Sequence, residues 1–338
     1  DIRFFSSKYN SPFSEICTRI KQSKKPVLCI GQGCNHISKE VTLFAELNQV
    51  PVVSTIHGMG VVNELNEVSF QMCGMHGNPT ANYALQEADL IIGIGTRFDD
   101  RITGKLSSYG ENARKNYGII HVDSSSKQIE LVRKTFNKHF LNTDFLHQIT
   151  MDSKRFIEGL KYTTDKSNER TQWMKYLHSL QKKFPYYIGG DEKKLYTPEV
   201  IKQMDACISN LDIDRDKLLI TTGVGNHQMW TAQHITWTSP GKMITSGSLG
   251  TMGVGVPFAM GCKLANPSSM VICIDGDSSF NMTSNELQTI LEKKIPIKIA
   301  IMNDKRQQMV YVWQQLFHNN RIIATENSNP DYSTLAKA

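Results

Sequence analysis

The chain has 338 residues, of which 40% are hydrophobic and 21% are charged, so it can bury one large core or two ordinary ones. This composition excludes an intrinsically disordered chain, a collagen-like repeat and a coiled-coil array. Lys and Arg number 38 against 32 Asp and Glu, a net charge of +6, and the basic residues are spread along the sequence. Nucleic-acid-binding proteins gather such residues on one patch, so we expect no nucleic acid partner. No apolar stretch approaches the roughly 20 residues of a membrane-spanning helix, so we expect no membrane span.

The seven cysteines form an odd number and include no CxxC pair. Cys29 and Cys273 fall within apolar, strand-like stretches, where a thiol packs as a small hydrophobic group. The pattern favours a reducing compartment over a disulfide framework or a zinc site. The sequence begins with Asp1 and not with Met, so we expect the natural N-terminus and any targeting segment to lie outside it.

Short apolar segments alternate with helical stretches along the first part of the chain. The strands predicted there are 26–30, 51–54, 89–94 and 118–122. Apolar strands separated by helices are typical of βαβ units in a parallel sheet that is covered on both faces. A second set of such strands is predicted at 218–222, 270–274 and 297–302.

The composition turns polar and charged between these two sets of strands. Trp173, Tyr176, Leu177 and Leu180 recur at helical spacing and predict one amphipathic helix, with the aromatic residues packing against a core. The sequence therefore predicts one α/β domain over residues 1–150, a charged, partly helical connector over 151–195 and a second α/β domain over 196–338. Thr197, followed by a proline and an acid, predicts a hydroxyl-capped helix start in this last domain.

The most informative segment contains two aspartates that follow strands. One apolar strand ends at Asp277, a helical segment follows through about Lys293, and the next strand ends at Asp304. In a right-handed parallel crossover both strand ends emerge at one edge of the sheet, where open α/β sheets bind their ligands. We therefore expect Asp277 and Asp304 to converge, and one or two carboxylates together with substrate phosphates are typical ligands of Mg²⁺.

Small residues flank this predicted metal site. Ser278 and Ser279, beside Gly276, would let a diphosphate approach the backbone at the start of the helix. The alternative is structural, because Asp275 and Asp277 would also serve as caps of the helix. The residues alone leave both interpretations open.

Gly276-Asp277 followed by Asn303-Asp304 resembles the GDG…NN signature of thiamine diphosphate enzymes. Further segments narrow the resemblance to the acetolactate synthase (acetohydroxyacid synthase) family, in its fungal form. These segments are 74–77, 95–101, 223–230 and 246–253, together with Met309, Val310 and Trp313. The similarity extends from about Lys25 to the end of the sequence.

The resemblance implies a complete enzyme of three domains, which bind the pyrimidine ring, FAD and the diphosphate in chain order. This chain is similar to the central FAD-binding domain and to most of the C-terminal domain, each a doubly wound parallel-sheet α/β domain. The N-terminal pyrimidine-binding domain, with the glutamate that activates the cofactor, and the C-terminal tail are expected to lie outside this sequence. We therefore assign no catalytic residue within it.

For the second half, the resemblance implies a thiamine diphosphate site that is completed by Mg²⁺. Asp277 and Asp304 would bind the metal, with Arg306 contributing its carbonyl as a third ligand. Met252 would hold the cofactor bent, which brings its aminopyrimidine nitrogen close to the reacting thiazolium carbon. The implied thiamine diphosphate contacts are Val224, Gly225, Asn226, His227, Gly250, Met252, Gly276, Ser278, Ser279, Gln307, Gln308, Met309 and Val310.

For the first half, the resemblance implies an FAD site, although Gly31-Gln32-Gly33 alone indicates only a βα turn. The implied FAD-binding residues are Gly31, Gly33, Thr55, His76, Gly95, Thr96, Arg97, Asp100, Arg101 and Asp123. The two arginines suit a flavin diphosphate or an anionic substrate, and a surface salt bridge to Asp99 or Asp100 is the alternative. The implied substrate contacts are Met75, Arg101 and Trp313. Because acetolactate formation needs no net redox step, the flavin would be structural.

Several positions depart from the family pattern, and Lys305 and Arg306 replace acidic residues of the fungal relatives, which makes their loop basic. Asp304 replaces the usual asparagine of the metal pair, Asn226 replaces a glutamine, and Gln308 and Ser248 replace glycines. If either glycine position requires positive φ, its side chain would cost about 1 kcal/mol. We therefore expect cofactor affinity to be altered but not lost.

The implied activity joins the two-carbon unit of decarboxylated pyruvate to pyruvate or 2-ketobutyrate, in valine, leucine and isoleucine biosynthesis. Glyoxylate carboligase and a flavin-using pyruvate oxidase are the alternatives among enzymes, and a non-catalytic nucleotide-binding relative is the alternative from another class. The resemblance also implies a homodimer or a larger assembly with a regulatory subunit. The fungal similarity favours a mitochondrial location, with a plastid or the bacterial cytoplasm as alternatives.

Overall fold

The structure, a computed structural model, describes residues 12–160, 167–186 and 195–338. The chain forms two compact units: the first comprises residues 1–186 with 237–241, and the second comprises residues 187–236 with 242–338. Each unit is built on one parallel sheet covered by helices. The predicted class, α/β with two parallel sheets, is confirmed.

The sheet of the first unit has six parallel strands in the order β3-β2-β1-β4-β5-β6. The strands are β1 (Pro26–Ile30), β2 (Val52–Ser54), β3 (Ser69–Met72), β4 (Leu90–Ile94), β5 (Ile119–Asp123) and β6 (Leu146–Thr150). The strand order reverses between β1 and β4. Open α/β sheets bind their ligands at such a switch point, outside the carboxyl ends of the strands.

The helices of the first unit cover both faces of this sheet. They are α1 (Pro12–Gln22), α2 (Ser38–Asn48), α3 (Pro79–Glu87), α4 (Asp100–Thr103), α5 (Glu111–Lys115), α6 (Ser126–Asn137), α7 (Ser153–Gly159) and α8 (Asn168–Lys183). Side chains of β1 alternate between two cores, with Leu28 and Ile30 in one and Val27 and Cys29 in the other. A strand buried on both faces needs the continuous apolar sequence that this segment has.

Helix α8 confirms the amphipathic helix predicted from its aromatic spacing. Trp173 and Leu177 are buried in the core of the first unit, whereas Tyr176 is partly exposed. The Trp173 indole Nε1 donates to the carbonyl of Pro26 at 3.1 Å. Trp173 and Leu177 therefore pack as the sequence predicts, whereas the prediction is wrong for Tyr176.

The second unit has a smaller sheet of four parallel strands in the order β10-β9-β7-β8. The strands are β7 (Leu218–Thr222), β8 (Met243–Ile244), β9 (Met270–Gly276) and β10 (Lys298–Met302). Its helices are α9 (Thr197–Asn210), α10 (Asn226–His234), α11 (Gly255–Ala265), α12 (Asp277–Asn281), α13 (Glu286–Lys293), α14 (Gln308–Phe317) and α15 (Tyr332–Lys337). In the described part of the chain, no helix is both long and apolar enough to cross a bilayer.

Two local predictions in the second unit are wrong. Thr197 does not cap α9, because Tyr196 holds the extended N-cap conformation and makes no side-chain cap bond, while Thr197 is already helical. The helix predicted to continue to about Lys293 is two helices, α12 and α13. They are separated by a turn in which the Thr283 hydroxyl donates to the carbonyl of Gly253 at 2.9 Å.

Candidate functional sites

Three neighbouring strands of the second unit end at one edge of its sheet. The register pairs Met302 of β10 with Gly276 of β9, and Ile274 of β9 with Thr222 of β7. The residues that follow these strands therefore emerge side by side. This edge is where the sequence predicts a metal and diphosphate site.

The two predicted metal ligands lie close together at this edge. Asp277 is 1% exposed at the start of α12, and Asp304 lies in the turn after β10. Desolvation and, second, the neighbouring Asp277 carboxylate raise the pKa of Asp304. Its Oδ1 atom accepts the backbone N–H of Arg306 at 3.1 Å. Within the described residues no group of three or more His, Cys, Asp or Glu converges, so this is an acidic pair and not a cage of ligands.

The structure also shows whether Asp275 and Asp277 cap helix α12. The N-cap of α12 is Gly276, and neither Asp275 nor Asp277 takes that position. Asp275 is fully buried, and its Oδ1 atom accepts the backbone N–H of Gly276 at 2.9 Å. The capping interpretation is therefore wrong for both side chains.

His227, predicted as a cofactor contact, lies between two glycine loops beside Asp275. Its Nε2 atom is 3.3 Å from Asp275 Oδ1, an ion-pair distance without hydrogen-bond geometry. A Cβ atom on Gly276 would lie 2.7 Å from Nδ1 of this ring, and one on Gly225 would lie 3.0 Å from Cε1. Gly225 also has a φ of 155°. Only glycine allows these loops to approach the ring so closely.

The remaining predicted cofactor and substrate contacts of the second unit lie on helices α10, α12 and α14 or in the loops that precede helices. Asn226 begins α10, Gln308 begins α14, and Ser279 on α12 accepts the backbone N–H of Gly253 at 2.9 Å. Val224 and Gly250 approach one another, since a Cβ on Gly250 would lie 3.8 Å from Val224 Cγ1. The others are Met252, half-buried before α11, Gln307, directly before α14, and Met309, Val310 and Trp313 on α14 itself.

Two of the departures from the family pattern carry no backbone strain. Gln308 and Ser248 are not among the non-glycine residues of the described chain that have positive φ. The conditional cost of about 1 kcal/mol therefore does not arise at either position. The nearby residue that does have positive φ is Lys305, at 58°.

Arg306 donates its backbone N–H to Asp304, while its side chain contacts other groups. Its guanidinium lies 4.6 Å from the centre of the Tyr311 ring and 3.4 Å from Glu326 Oε1. The side chain is therefore engaged in a cation–π contact and an ion pair.

Two asparagines that the sequence analysis missed contact the predicted site. Asn329 donates to Asp277 Oδ2 and, at 2.8 Å, to Asn303 Oδ1. Asn327 donates to the hydroxyl of Ser278. Both asparagines follow α14 and are far in sequence from the strand that carries Asp277. A prediction from one strand–helix–strand segment of the sequence could therefore not identify them.

In the first unit, the loops after β1 and β4 meet at the switch point. A Cβ on Gly31 would lie 2.0 Å from the carbonyl oxygen of Gly95, and one on Gly33 would lie 2.7 Å from its Cα. Gly95 itself has a φ of 58°. Beside it, Thr96 is 1% exposed, and its hydroxyl has no hydrogen-bond partner among the described residues. The crossing needs glycine on both loops, and it leaves a buried hydroxyl beside the switch point.

The other predicted flavin residues follow neighbouring strands at the same edge. Thr55 comes directly after β2, His76 follows β3, and Asp123 ends β5. Burial lowers the pKa of His76, and the neighbouring Arg101 lowers it further. The Asp123 carboxylate accepts the backbone N–H of Ser125 at 2.8 Å.

The two arginines of this region have different partners. Arg97 pairs with Asp99 at 2.7 Å, which is the salt bridge considered as its alternative role. Arg101, on α4 next to Asp100, directs Nη1 to the sulfur of Met75 at 3.6 Å. The structure thus brings together two of the three predicted substrate contacts, Met75 and Arg101. The third, Trp313, belongs to the second unit.

Both of these sheet edges lie in segments of the chain that match known protein families. Residues 13–138 match the central domain of thiamine pyrophosphate enzymes, and residues 223–338 match their C-terminal TPP binding domain. The chain belongs to the thiamine pyrophosphate enzyme family. The two matches to this family contain every cofactor and metal residue predicted from the sequence.

Individual members of the family with high similarity are acetolactate synthases. The chain is 38% identical to the mitochondrial acetolactate synthase of Schizosaccharomyces pombe, over 98% of this chain and 50% of that protein. It is 40% identical to the mitochondrial acetolactate synthase catalytic subunit of Saccharomyces cerevisiae, over 94% of this chain and 46% of that protein. The chloroplastic acetolactate synthase of Arabidopsis thaliana is 35% identical, over 91% and 44%. The chain thus spans about half the length of these relatives.

Proposed function

We propose that this chain forms the flavin-binding and diphosphate-binding domains of an acetolactate synthase. The observation that carries the proposal is the acidic pair, Asp277 and Asp304, at adjoining strand ends within the segment that matches the TPP binding domain. The reaction is the decarboxylation of pyruvate followed by ligation of the two-carbon unit to pyruvate or 2-ketobutyrate. The names of the similar proteins support this choice among the reactions of the family.

The chemistry of the donor set agrees with a Mg²⁺–diphosphate group. Two carboxylates supply hard oxygen ligands, and Mg²⁺ normally completes its octahedron with phosphate oxygens and water. Close to the pair, the loops at Gly225 and Gly276 carry no side chain and pack against the His227 ring. Arg306, whose side chain points to Tyr311 and Glu326, has its carbonyl left as the third proposed ligand.

Bound thiamine diphosphate would supply the carbon nucleophile for the keto group and hold the electrons released on decarboxylation. The residues of this chain would bind and orient it. Asp277 and Asp304 would hold the metal, His227 and the glycine loops would hold the diphosphate, and Met252 would support the bent conformation. Orientation of this kind lowers the barrier because the reacting groups are already in place.

The first unit is proposed to hold FAD at the switch point between β1 and β4. The glycine crossing at Gly31, Gly33 and Gly95 brings the two loops together at this edge, and within the described part of the chain the buried Thr96 hydroxyl has no hydrogen-bond partner. The proposed role is structural, because the ligation involves no net oxidation or reduction. Arg97 would have to exchange its Asp99 partner for the flavin diphosphate, whereas Arg101 pairs with no carboxylate of the described residues.

The remaining parts of the proposal follow the relatives. Their names include a catalytic subunit, which supports an assembly with a regulatory subunit, and the homodimer remains part of the proposal. Mitochondrial forms support the same location here, while chloroplastic forms keep a plastid as the alternative.

Titration of thiamine diphosphate with Mg²⁺ into the purified chain, followed by calorimetry, tests the cofactor site. We expect saturable binding that requires the metal and that is lost in Asp277→Ala. The matched control is Glu286→Ala, which removes a carboxylate from the start of α13, outside the acidic pair. The absence of saturable binding at millimolar cofactor would refute the proposal. A product assay on the longest natural form, with pyruvate alone and with 2-ketobutyrate, separates acetolactate synthase from glyoxylate carboligase and pyruvate oxidase.

A further inference from the structure

Residues 325–329, here named the asparagine strap, cross the ends of two strands at the acidic edge. The strap pairs with the turn after β10, because Gln307 N–H donates to the carbonyl of Thr325 and Asn327 N–H to that of Lys305, both at 2.8 Å. An antiparallel bridge joins Arg306 to Glu326 between them. The strap is therefore fixed along its backbone before its side chains reach the site.

Asn329, the last residue of the strap, uses its whole side-chain amide. Its Nδ2 atom donates one hydrogen to Asp277 Oδ2 and the other to Asn303 Oδ1, at 2.8 Å for the latter. Its Oδ1 atom accepts from Asn281 Nδ2 at 3.2 Å. An ionised carboxylate only accepts hydrogen bonds, so the amide nitrogen must be the atom that faces Asp277.

The chain after Asn329 holds this amide in place. Pro330 restricts Asn329 to extended backbone conformations. Asp331 then caps α15 by accepting from the backbone N–H of Ser333 at 2.9 Å, and these local hydrogen bonds lower the pKa of Asp331 to about 2. Tyr332 packs edge-on against Phe280 with ring centres 5.7 Å apart, which fastens α15 to α12.

We infer that Asn329 is a positioning residue that orients the Asp277 carboxylate for a divalent cation. The amide hydrogen bond to Oδ2 restrains the Asp277 carboxylate, and Oδ1 is the oxygen that we assign to the metal. Asn327 supports the adjacent residue in the same way through the Ser278 hydroxyl. Hydrogen bonds to metal-binding side chains typically change metal affinity 10–100-fold when they are removed. The inference rests on the proposed function, because it presumes that Asp277 binds the cation.

The test is Mn²⁺ binding, measured by electron paramagnetic resonance on the chain with saturating thiamine diphosphate. Asn329→Ala is expected to raise the Mn²⁺ dissociation constant about 10–100-fold. Asn329→Asp keeps the side-chain size but removes the donor, so we expect an equal or larger loss. Asn329→Gln retains the donor on a longer side chain and is expected to recover part of the affinity. Asn285→Ala is the matched control, because Asn285 is exposed, its side-chain amide donates to Glu286 Oε1 at 3.2 Å, and it is expected to leave the constant unchanged.

Each outcome has a defined meaning. Wild-type chain without saturable Mn²⁺ binding would refute the proposed function, and this inference with it. Normal wild-type binding with Asn329→Ala and Asn329→Asp within twofold would overturn this inference alone. Unfolding midpoints measured without metal identify a merely structural role. Such a role would lower the midpoint of all three Asn329 variants, with no difference between Asn329→Gln, which keeps the donor, and the two variants that lack it. Because Asn329→Asp is isosteric, it decides the question even if Asn329→Ala fails to fold.

Discussion

The two sheets of this protein differ in how completely the described helices cover them. In the first unit, all residues of β1, β2 and β4 are buried. In the second unit, β7 is buried to the same degree, and the edge strand β10 has no buried residue, like the edge strand β6 of the first unit. The contrast lies in the helices, because α13, α14 and α15 contribute no buried residue. Large apolar side chains on these last elements stay exposed, among them Leu291 at 79% and Leu316 at 70%.

It follows that the predicted metal and diphosphate site of the second unit lies beside its least buried strand and helices. Asp304 follows the open strand β10, and α14, with Gln308, Met309 and Val310, is the helix directly after it. Burial of apolar surface is the main source of stability, so the first unit should be stable by itself. The second unit should be stabilised more strongly by whatever binds it.

The largest effect on the free energy of unfolding is expected from a substitution at a buried charged residue of the first unit. Arg170 on α8 is fully buried and donates to the carbonyls of Ile20, Ser23 and Asn48, near the ends of α1 and α2. Arg170→Met keeps most of the apolar stem but leaves these acceptors unpaired. We expect a loss of about 3–5 kcal/mol in the free energy of unfolding, measured by urea titration.

The matched control for this change is Arg155→Met on α7, because Arg155 is exposed. It should alter the free energy of unfolding by about 0.5 kcal/mol or less. Equal effects of the two variants would contradict the inference that Arg170 fastens α8 to the first unit.

A pair of identical substitutions tests the comparison directly. Leu85 on α3 is 3% exposed, whereas Leu291 on α13 is 79% exposed. Leu85→Ala should cost about 2–5 kcal/mol, because it leaves a cavity, and Leu291→Ala about 0.5 kcal/mol or less. Both positions are helical, so the change in helix propensity is the same. Hydrogen exchange of the β4 and β9 amides reports the two units separately.

If Leu291→Ala proved as costly as Leu85→Ala, the contrast between the units would be wrong. It would mean that α13 is covered in solution by another surface. Dependence of that cost on protein concentration would identify the surface as a second copy of the chain.

The sequence predicted the central strands because their burial on both faces demands continuous apolar residues. All seven predicted strands are present, from β1 to β10. The missed strands are β3, β6 and β8, which are peripheral or very short: β3 and β6 carry polar residues such as Gln71 and Gln148, and β8 has two residues. Edge strands need less apolar sequence, so periodicity and composition give them little signal.

The candidate site was predictable to the extent that it depends on strand ends. Asp277 and Asp304 were expected to converge because parallel neighbouring strands end at one edge, and the strand ends that precede them do lie side by side. Asn329 was not predictable, since its contact depends on how the chain returns after α14. The salt bridge of Arg97 with Asp99 was left open for a similar reason, because local spacing permits several partners.

The smallest effect on the free energy of unfolding is expected from two glycine substitutions within a single helix of the second unit. Helix α11 carries Gly255 at its first position and Gly261 further along. A Cβ on Gly261 would meet nothing within 4 Å, and its φ is not positive, so Gly261→Ala should stabilise the chain by about 0.4–1 kcal/mol. A Cβ on Gly255 would lie 2.4 Å from Asp275 Oδ2 and 2.8 Å from the backbone nitrogen of Gly223, so Gly255→Ala should destabilise it. Urea unfolding of the two variants gives opposite signs if α11 has one face packed and one face open. A destabilising Gly261→Ala would show that its outer face is occupied in solution.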